Sequence, residues 1–478
     1  MIHIGSPHRL CSVFCALFGI CTLWFGFFRR GCRLLFSSYF GVYYRGMSFR
    51  GDSLVFVRMP KAENLLALDI GSSHIRAVMA QDIPGEETLR VLGAVSLPSE
   101  GMRRGSVVDP EAVAATVAGA VEHAERMAGV SPRVVGLSVS GTDLFCQKAQ
   151  GVIAVGRSDG EVTDGDVERA IGEVESRVML PANREVLHVI PTNYRLDDQT
   201  NIKDPVGMRG VRLEAEAFVV GTSMRQMKGL SRIAEAAGLS PALYAVEPIL
   251  SAEAVLNPKQ KELGVVLVDI GGSVTSVIVF EEGELLHMST LPVGAGHVTN
   301  DIAIGLRTSV ETAEEVKLRY GTANPSEVGK REEIDLSTLD SHETESVSRH
   351  HVAEIIEART EEIFRLVDEE LRRVSRDGML PAGVILVGGG ALLPGITDVA
   401  KRMLRLPSQV GNPKPQGGIV DRVDGPDFAS TVGLLLLLRG RSHGGGFSGI
   451  PGNMRMPEWA EGAGKKAGEW LRKFLPTD

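Results

Sequence analysis

Two short segments of the chain carry residue types suited to holding a triphosphate. Asp69-Ile70-Gly71-Ser72-Ser73 follows the apolar run Leu65–Leu68, and Asp269-Ile270-Gly271-Gly272-Ser273 follows Val265–Val268, 200 positions later. β-Branched residues resume after each turn, at Ile75 and Val78 and again at Val277, Ile278 and Val279, so each segment reads as strand, tight turn, strand. Gly and Ser at a turn let the backbone approach an anion closely, and several N–H groups then point at one phosphate. Asp69 and Asp269 would face each other across a cleft and orient Mg²⁺ through its water molecules. A third segment, Val384–Val387 followed by Gly388-Gly389-Gly390, would let a base or ribose lie against the main chain. Each turn alone is as readily a hairpin or a strand-to-helix turn with no ligand. The matched pair followed by the third, in this order, is far more specific.

Helical patterns separate and position these strands. Glu111 to Met127 has amphipathic spacing and closes at Gly129, and Met224 to Ala237 closes at Gly238. His351 to Arg373 places Ile355, Ile356, Ile363, Leu366, Val367 and Leu371 on one apolar face. Strands alternating with helices give an α/β fold with helix-covered sheets. A segment from about Leu144 to Gly221 stands apart as an inserted domain. The run Leu434–Leu438 is too short to span a bilayer and reads as a buried helix.

A chain of 478 residues is long enough for two or three globular units. Its 43% hydrophobic and 23% charged residues match an ordinary soluble protein, and a net charge of -9 argues against nucleic acid as a partner. Four of the five cysteines, Cys11, Cys15, Cys21 and Cys32, lie in the first stretch without the paired spacing of a zinc site. Cys146 alone cannot form a disulfide within the body, which fits a reducing cytosol. His188, His287 and His297 sit in apolar settings and read as core or surface residues, not ligands.

The two ends differ from the body. Leu10 to Phe28 is uncharged, apolar and followed by Arg29, Arg30 and Arg33, which suits a transmembrane helix with the rest of the chain cytoplasmic. The preferred alternative is that the working protein starts at Met47 or Met59. Arg439 to Pro457 is rich in Gly, Ser and Pro and reads as a flexible linker. In Glu458 to Leu475, Trp459, Ala463, Ala467, Trp470, Leu471 and Phe474 recur at helical spacing, with Lys465, Lys466, Arg472 and Lys473 on other faces. An amphipathic helix with aromatic anchors and basic flanks suits a membrane interface. Gly462, Gly464 and Gly468 weaken it in water, so it folds on lipid, the alternative being a helix docked back on the body.

Two Asp-Ile-Gly turns and a late Gly-Gly-Gly resemble the superfamily of actin, the heat-shock chaperones and sugar kinases. Further segments are similar to one member of it, the bacterial cell-division FtsA family: Arg184–Pro191, Ile202–Gly210, Arg212-Leu213-Glu214, Gly294, Thr299–Ala303 and Ala313–Lys317. The resemblance spans about Asn64 to Leu438. It implies two duplicated RNase H-like lobes around a nucleotide cleft, with an inserted SHS2 subdomain. Along the chain it implies an extension at 1–60, the first lobe at 61–143 and 223–262, and the insertion at 144–222. The second lobe would begin at 263–298, carry an outer subdomain at 299–374, and return to the first lobe at 375–438, before a linker at 439–457 and a membrane-targeting helix at 458–478.

By resemblance, Asp69, Gly71, Ser72 and Ser73 form the first phosphate loop and Asp269, Gly271, Gly272 and Ser273 the second. Gly388, Gly389, Gly390 and Ala391 flank the adenosine, Gly294 belongs to the same site, and Glu314 and Lys317 contact ribose and adenine. Without a ligand, that last pair reads as an exposed ion pair one helical turn apart. The cofactors implied are ATP and Mg²⁺. Many relatives read Asp-Ile-Gly-Gly-Gly-Thr-x-Asp in the second loop, where this chain has Ser273, Val274 and Ser276 in place of the third Gly, the Thr and the second Asp. Those departures predict binding with slow or negligible hydrolysis. The resemblance further implies a peripheral protein on the cytoplasmic face of the inner membrane, at the septum. There it would bind the C-terminal peptide of FtsZ on the surface between about Val298 and Val374, self-associate into actin-like polymers, recruit later division proteins and hold lipid through Trp459, Lys465, Lys466, Trp470, Leu471, Lys473 and Phe474. A pilus-assembly actin homologue and a sugar kinase are the rival readings.

Overall fold

The two apolar runs that end in aspartate are the central strands of two separate sheets. The computed structural model describes residues 62–442, apart from 104, 105, 181, 182, 341, 342, 344 and 415, together with two short strands near the N-terminus. Those two, Met47–Arg50 and Ser53–Phe56, pair antiparallel as a hairpin in a unit distinct from the body that begins at Glu63. The apolar run at 10–28, most of the linker and the amphipathic segment at 458–475 lie outside the described residues.

The first lobe opens with a meander, β1 (Glu63–Ile70), β2 (His74–Asp82) and β3 (Arg90–Pro98), each antiparallel to the next. Helix α1 (Pro110–Ala128) then leads to β4 (Val134–Val139), parallel to β1. The start of α1 is set by Asp109, whose carboxylate accepts the N–H groups of Glu111 and Ala112, and by Pro110 in the first turn. Gly129, in the left-handed region at φ 67°, ends it as the sequence predicts. The insertion follows as β5 (Phe145–Ala154), α2 (Asp164–Arg177), β6 (Arg184–Leu196), β7 (Gln199–Ile202) and β8 (Arg212–Ser223), an antiparallel sheet in the order β7-β6-β8-β5 with α2 packed on it. Helix α3 (Met224–Ala236) and β9 (Ser240–Val246), parallel to β4, return to the first lobe.

Helix α4 (Glu247–Val255) then crosses to the second lobe, which repeats the pattern. Its meander is β10 (Val265–Ile270), β11 (Thr275–Glu281) and β12 (Glu284–Leu291). Helices α5 (Ala295–Leu306), α6 (Val310–Tyr320) and α7 (Arg349–Arg373) precede β13 (Val384–Val387), α8 (Ile396–Leu404) and β14 (Ser408–Val410). Helix α9 (Ala429–Ser442) closes the described body against the first lobe. The sheets read β9-β4-β1-β2-β3 and β14-β13-β10-β11-β12, the same order and the same strand senses, with a short strand at Gly417–Gly418 added beside β3. This duplicated arrangement is the actin-like fold expected from the resemblance. Every residue of β10 is buried, as a strand covered on both faces requires.

Helix α7 begins at Arg349, slightly before the expected His351, because Ser348 accepts the His351 N–H as its cap. Helix α9 continues to Ser442, past the point where the linker was expected to start at Arg439. The reason is local: Arg439 lies 3.2 Å from Asp82 and also donates to the carbonyls of Glu86 and Glu87, which holds the last turn against the first lobe. Helices α4 and α9 pass each other between the lobes at backbone contact. A Cβ on Gly433 would lie 2.0 Å from the Leu250 carbonyl oxygen, so only glycine permits this crossing.

Candidate functional site

The duplicated turns have the same internal geometry. Gly71 N–H donates to the His74 carbonyl at 3.0 Å, and Gly271 N–H donates to the Val274 carbonyl at 3.0 Å. In each turn the small residues face the space between the lobes. The two turns also meet: a Cβ on Gly272 would stand 2.0 Å from Ser73 Oγ. They form one wall of an interlobe cavity of about 350 Å³, lined by Gly71, Ser72, Ser73, Gly271, Gly272 and Ser273.

The second turn is braced from behind by the start of α5. Ala295 and Gly296 donate to the carbonyls of Gly271 and Gly272 at 2.9 and 2.7 Å. Gly294 lies in this brace, outside the cavity wall; a Cβ there would be 2.4 Å from the Gly271 carbonyl oxygen. It therefore supports the loop and does not face the cavity, as a direct site residue would. Gly388, Gly389 and Gly390 line the cavity, but Ala391 turns its methyl into the core of the second lobe. Gly388 sits at φ 82°, and a Cβ there would fall 2.4 Å from Asp269 Oδ1. Glycine is thus required at that position both for backbone conformation and for space.

The acids sit at the bottom of the cavity. Asp69 and Asp269 are each 4% exposed. Asp69 accepts hydrogen bonds from Ser138 and from Ser430 of α9, the latter at 3.1 Å. Asp269 accepts one from Ser251 of α4 at 2.6 Å. Each duplicated acid is therefore held by a serine from one of the two central helices. Arg76 stands opposite Asp69 in the β1–β2 register, 4.0 Å from it, and also pairs with Asp427 at 3.2 Å. Glu247, the first residue of α4, joins Asp69 and Asp269 in the cavity lining, which also includes Asp427 and Glu314.

This concentration of acid shifts titrations. Burial, reinforced by the charge of Asp69, pushes Asp269 up to about 6 against the relief given by Ser251 and Arg76. Burial and the neighbouring Asp269 and Asp69 push Glu247 well above the usual carboxylate range. Burial and Arg76 lower His74, beside the first turn. A site in which acids resist ionisation attracts a cation. Among the described residues, no three His, Cys, Asp or Glu side chains are placed to hold a metal ion by themselves. The donors that the cavity offers a cation are the carboxyls of Asp69, Asp269 and Glu247.

Glu314 and Lys317 line the opposite side of the cavity and form a network instead of an exposed pair. Lys317 is 11% exposed and reaches Glu314 at 2.6 Å and Thr299 Oγ1 at 2.8 Å. Val274 also faces the cavity, with no hydroxyl to offer. Ser276 is buried opposite Asp269 in the β10–β11 register, and its hydroxyl has no hydrogen-bond partner among the described residues. Of the three histidines, His188 accepts the Val246 N–H, His287 pairs with Glu370, and His297 accepts the Gly294 N–H. All three engage protein groups.

The sequence reading missed Glu247, Arg76 and Asp427, and the apolar pair Leu318 and Leu392 at the cavity edge. A signal existed for two of them. Glu247 stands between an apolar strand and Pro248, where a helix must begin. Arg76 is a charge beside the apolar run Ala77–Ala80 of its strand.

The family model "Cell division protein FtsA" matches residues 266–433, and "SHS2 domain inserted in FTSA" matches 141–221. The FtsA of Pseudomonas aeruginosa is 34% identical over 372 residues, covering 78% of this chain and 88% of that protein. The FtsA of Bacillus subtilis is 34% identical over 79% of this chain and 84% of its own length, and that of Escherichia coli K12 33% identical over 78% and 89%. Among solved structures, a chain of the PilM-PilN type IV pilus biogenesis complex aligns with a TM-score of 0.57 at 18% identity, over 78% of this chain and 97% of that one, a likeness of fold alone. Identity of this level across most of both sequences, together with the inserted subdomain, places the chain in the FtsA family of cell-division proteins.

Proposed function

We propose that this protein binds Mg·ATP between its lobes and, in that state, tethers the bacterial division filament to the cytoplasmic membrane. The observation that carries the nucleotide reading is the meeting of the two duplicated turns, with Gly272 against Ser73. In this reading Gly71–Ser73 and Gly271–Ser273 present backbone N–H groups to the phosphates. Magnesium, when bound, neutralises phosphate charge, with Asp69 and Asp269 orienting its water ligands. Gly388–Gly390 support the adenosine, Glu314 and Lys317 reach the ribose and base, and Leu318 and Leu392 offer apolar faces to the ring. Val274 and Ser276 supply no acid beside the terminal phosphate, which supports binding with slow hydrolysis.

The remaining assignments follow from family membership and the tail. The surface at 298–374 takes the FtsZ C-terminal peptide, the lobes support actin-like self-association, and the insertion meets later division proteins. The segment at 458–478 binds lipid at the cytoplasmic face of the inner membrane, at the septum. Flotation with anionic liposomes tests this. In protein starting at Met59, the chain should carry FtsZ to the lipid fraction, and deletion after Arg455 should leave both proteins in the soluble fraction. FtsZ lacking its C-terminal peptide should stay behind in either case. A truncated chain that still floats would remove the tail as the anchor.

A further inference from the structure

We infer that His188 is a positioning residue through which the inserted subdomain sets the first turn of α4, and with it Glu247 and Ser251 in the cleft. The inference rests on the cleft being the nucleotide site. His188 lies on β6 of the insertion and is 2% exposed. Its Nε2 accepts the backbone N–H of Val246 at 3.1 Å, and Val246 is the N-cap of α4.

The chemistry of a helix start explains what this bond does. In a capping box, a side chain three positions into the helix reaches back and accepts the N–H of the cap residue. In α4 that position is Ile249, which has no acceptor, and Val246 has no side-chain oxygen to cap the first turn. A ring nitrogen from a different subdomain fills the missing role. The bond also fixes the ring. Nε2 must carry its lone pair, so the proton is on Nδ1, which has no hydrogen-bond partner among the described residues. Burial pushes the pKa of His188 down to about 4, so the ring stays neutral and the acceptor is retained at physiological pH.

Two cleft groups hang on that first turn. Glu247 follows Val246 directly, and Ser251, one turn later, holds Asp269 at 2.6 Å. The insertion also touches the second lobe, where Lys203 donates to the Glu282 carbonyl at 2.7 Å at the tip of the β11–β12 hairpin. It thus contacts the cleft helix from one lobe and a hairpin of the other. A shift of the insertion moves Glu247 and Ser251, and by reciprocity a nucleotide that settles those groups changes what the insertion binds.

Three variants test this: His188→Leu, which removes the acceptor, His188→Gln, which can restore one, and Val189→Ala, which cuts the insertion's own core without touching Val246. Affinity is read with a fluorescent ATP analogue and Mg²⁺ below the melting point of each variant. His188→Leu should bind about fivefold or more weakly and expose the Val246 amide to faster hydrogen exchange. His188→Gln should recover most of the affinity, and Val189→Ala should lower the melting temperature while binding like wild type. Wild-type affinity in His188→Leu, or an equal loss in Val189→Ala, overturns the inference. Should His188→Leu not fold, the wild type decides: its His188 ring ¹⁵N resonances should shift on adding Mg·ATP, and unchanged resonances in a protein that binds overturn the inference. Failure of the wild type to bind Mg·ATP at all would instead overturn the nucleotide reading, and Val246 exchange in the variants would still report on the positioning.

Discussion

Gly272→Val is expected to weaken Mg·ATP binding by about a hundredfold, the equivalent of about 3 kcal/mol, while the protein stays folded. The first added carbon would fall 2.0 Å from Ser73 Oγ, closer than any relaxed contact, and 3.0 Å from Ser73 Cβ, which is already tight before the two methyls of valine are added. The serine hydroxyl can rotate away, but its Cβ belongs to the turn itself. A branched side chain at 272 must therefore separate the two turns that face the phosphates. The cost falls on the cavity wall and not on a sheet, so thermal unfolding should change little. A compensating pair sharpens the test. Gly272→Ala should bind weakly by itself, and adding Ser73→Gly should restore much of the loss, because the obstructing atoms are gone. Wild-type affinity in Gly272→Val, measured by calorimetry on folded protein, would contradict the arrangement of the two turns.

The second large effect is on pH dependence. Asp269, ordinarily at 3.8, is held at about 6, and Glu247 is displaced the same way. A carboxyl raised on folding is most compatible with the folded state when protonated. Its contribution is complete below about pH 4 and is lost as pH rises through about 6. For Asp269 the displacement corresponds to about 3 kcal/mol. Unliganded protein should therefore lose stability between about pH 4 and 7 by this route, and Mg·ATP should restore it by favouring the ionised acids. Glu247→Gln replaces this half-buried acid with a group that does not titrate, at nearly constant shape. Denaturant unfolding should show it more stable than wild type at pH 7.5, with a difference that shrinks toward pH 4. A variant equal to or less stable than wild type at pH 7.5 would show that ionising Glu247 in the cleft costs the fold nothing.

The parts of this molecule that could be read from its sequence are those written twice. Asp69 and Asp269 end strands of the same apolar pattern, and the folded lobes repeat the same strand order around them. The start of α1 was read at Glu111, past the Asp109 cap, whereas its end was legible because Gly129 marks it. The end of α9 was not, because Arg439 looks like the start of a polar tail until its partners Asp82, Glu86 and Glu87, brought close only by the β2–β3 hairpin, are known. The roles of Glu247 and His188 were hidden for a related reason: Pro248 marks a helix start at Glu247 and the apolar setting of His188 reads as core, but what each does comes from residues far away in sequence, Asp69 and Asp269 for one and Val246 for the other. Gly294 and Ala391 stand next to cavity-lining turns or glycines, but sequence proximity does not say which side of a loop a residue occupies. Gly294 braces the turn from behind, and Ala391 faces the core.

The proposed function requires one nucleotide held by two turns that belong to opposite lobes. Titration calorimetry of ATP with magnesium into the purified, folded chain tests that directly. One molecule should bind per chain, with the affinity largely lost in Gly272→Val. Heats no greater than dilution for ATP and ADP alike, on protein that unfolds cooperatively, would contradict it.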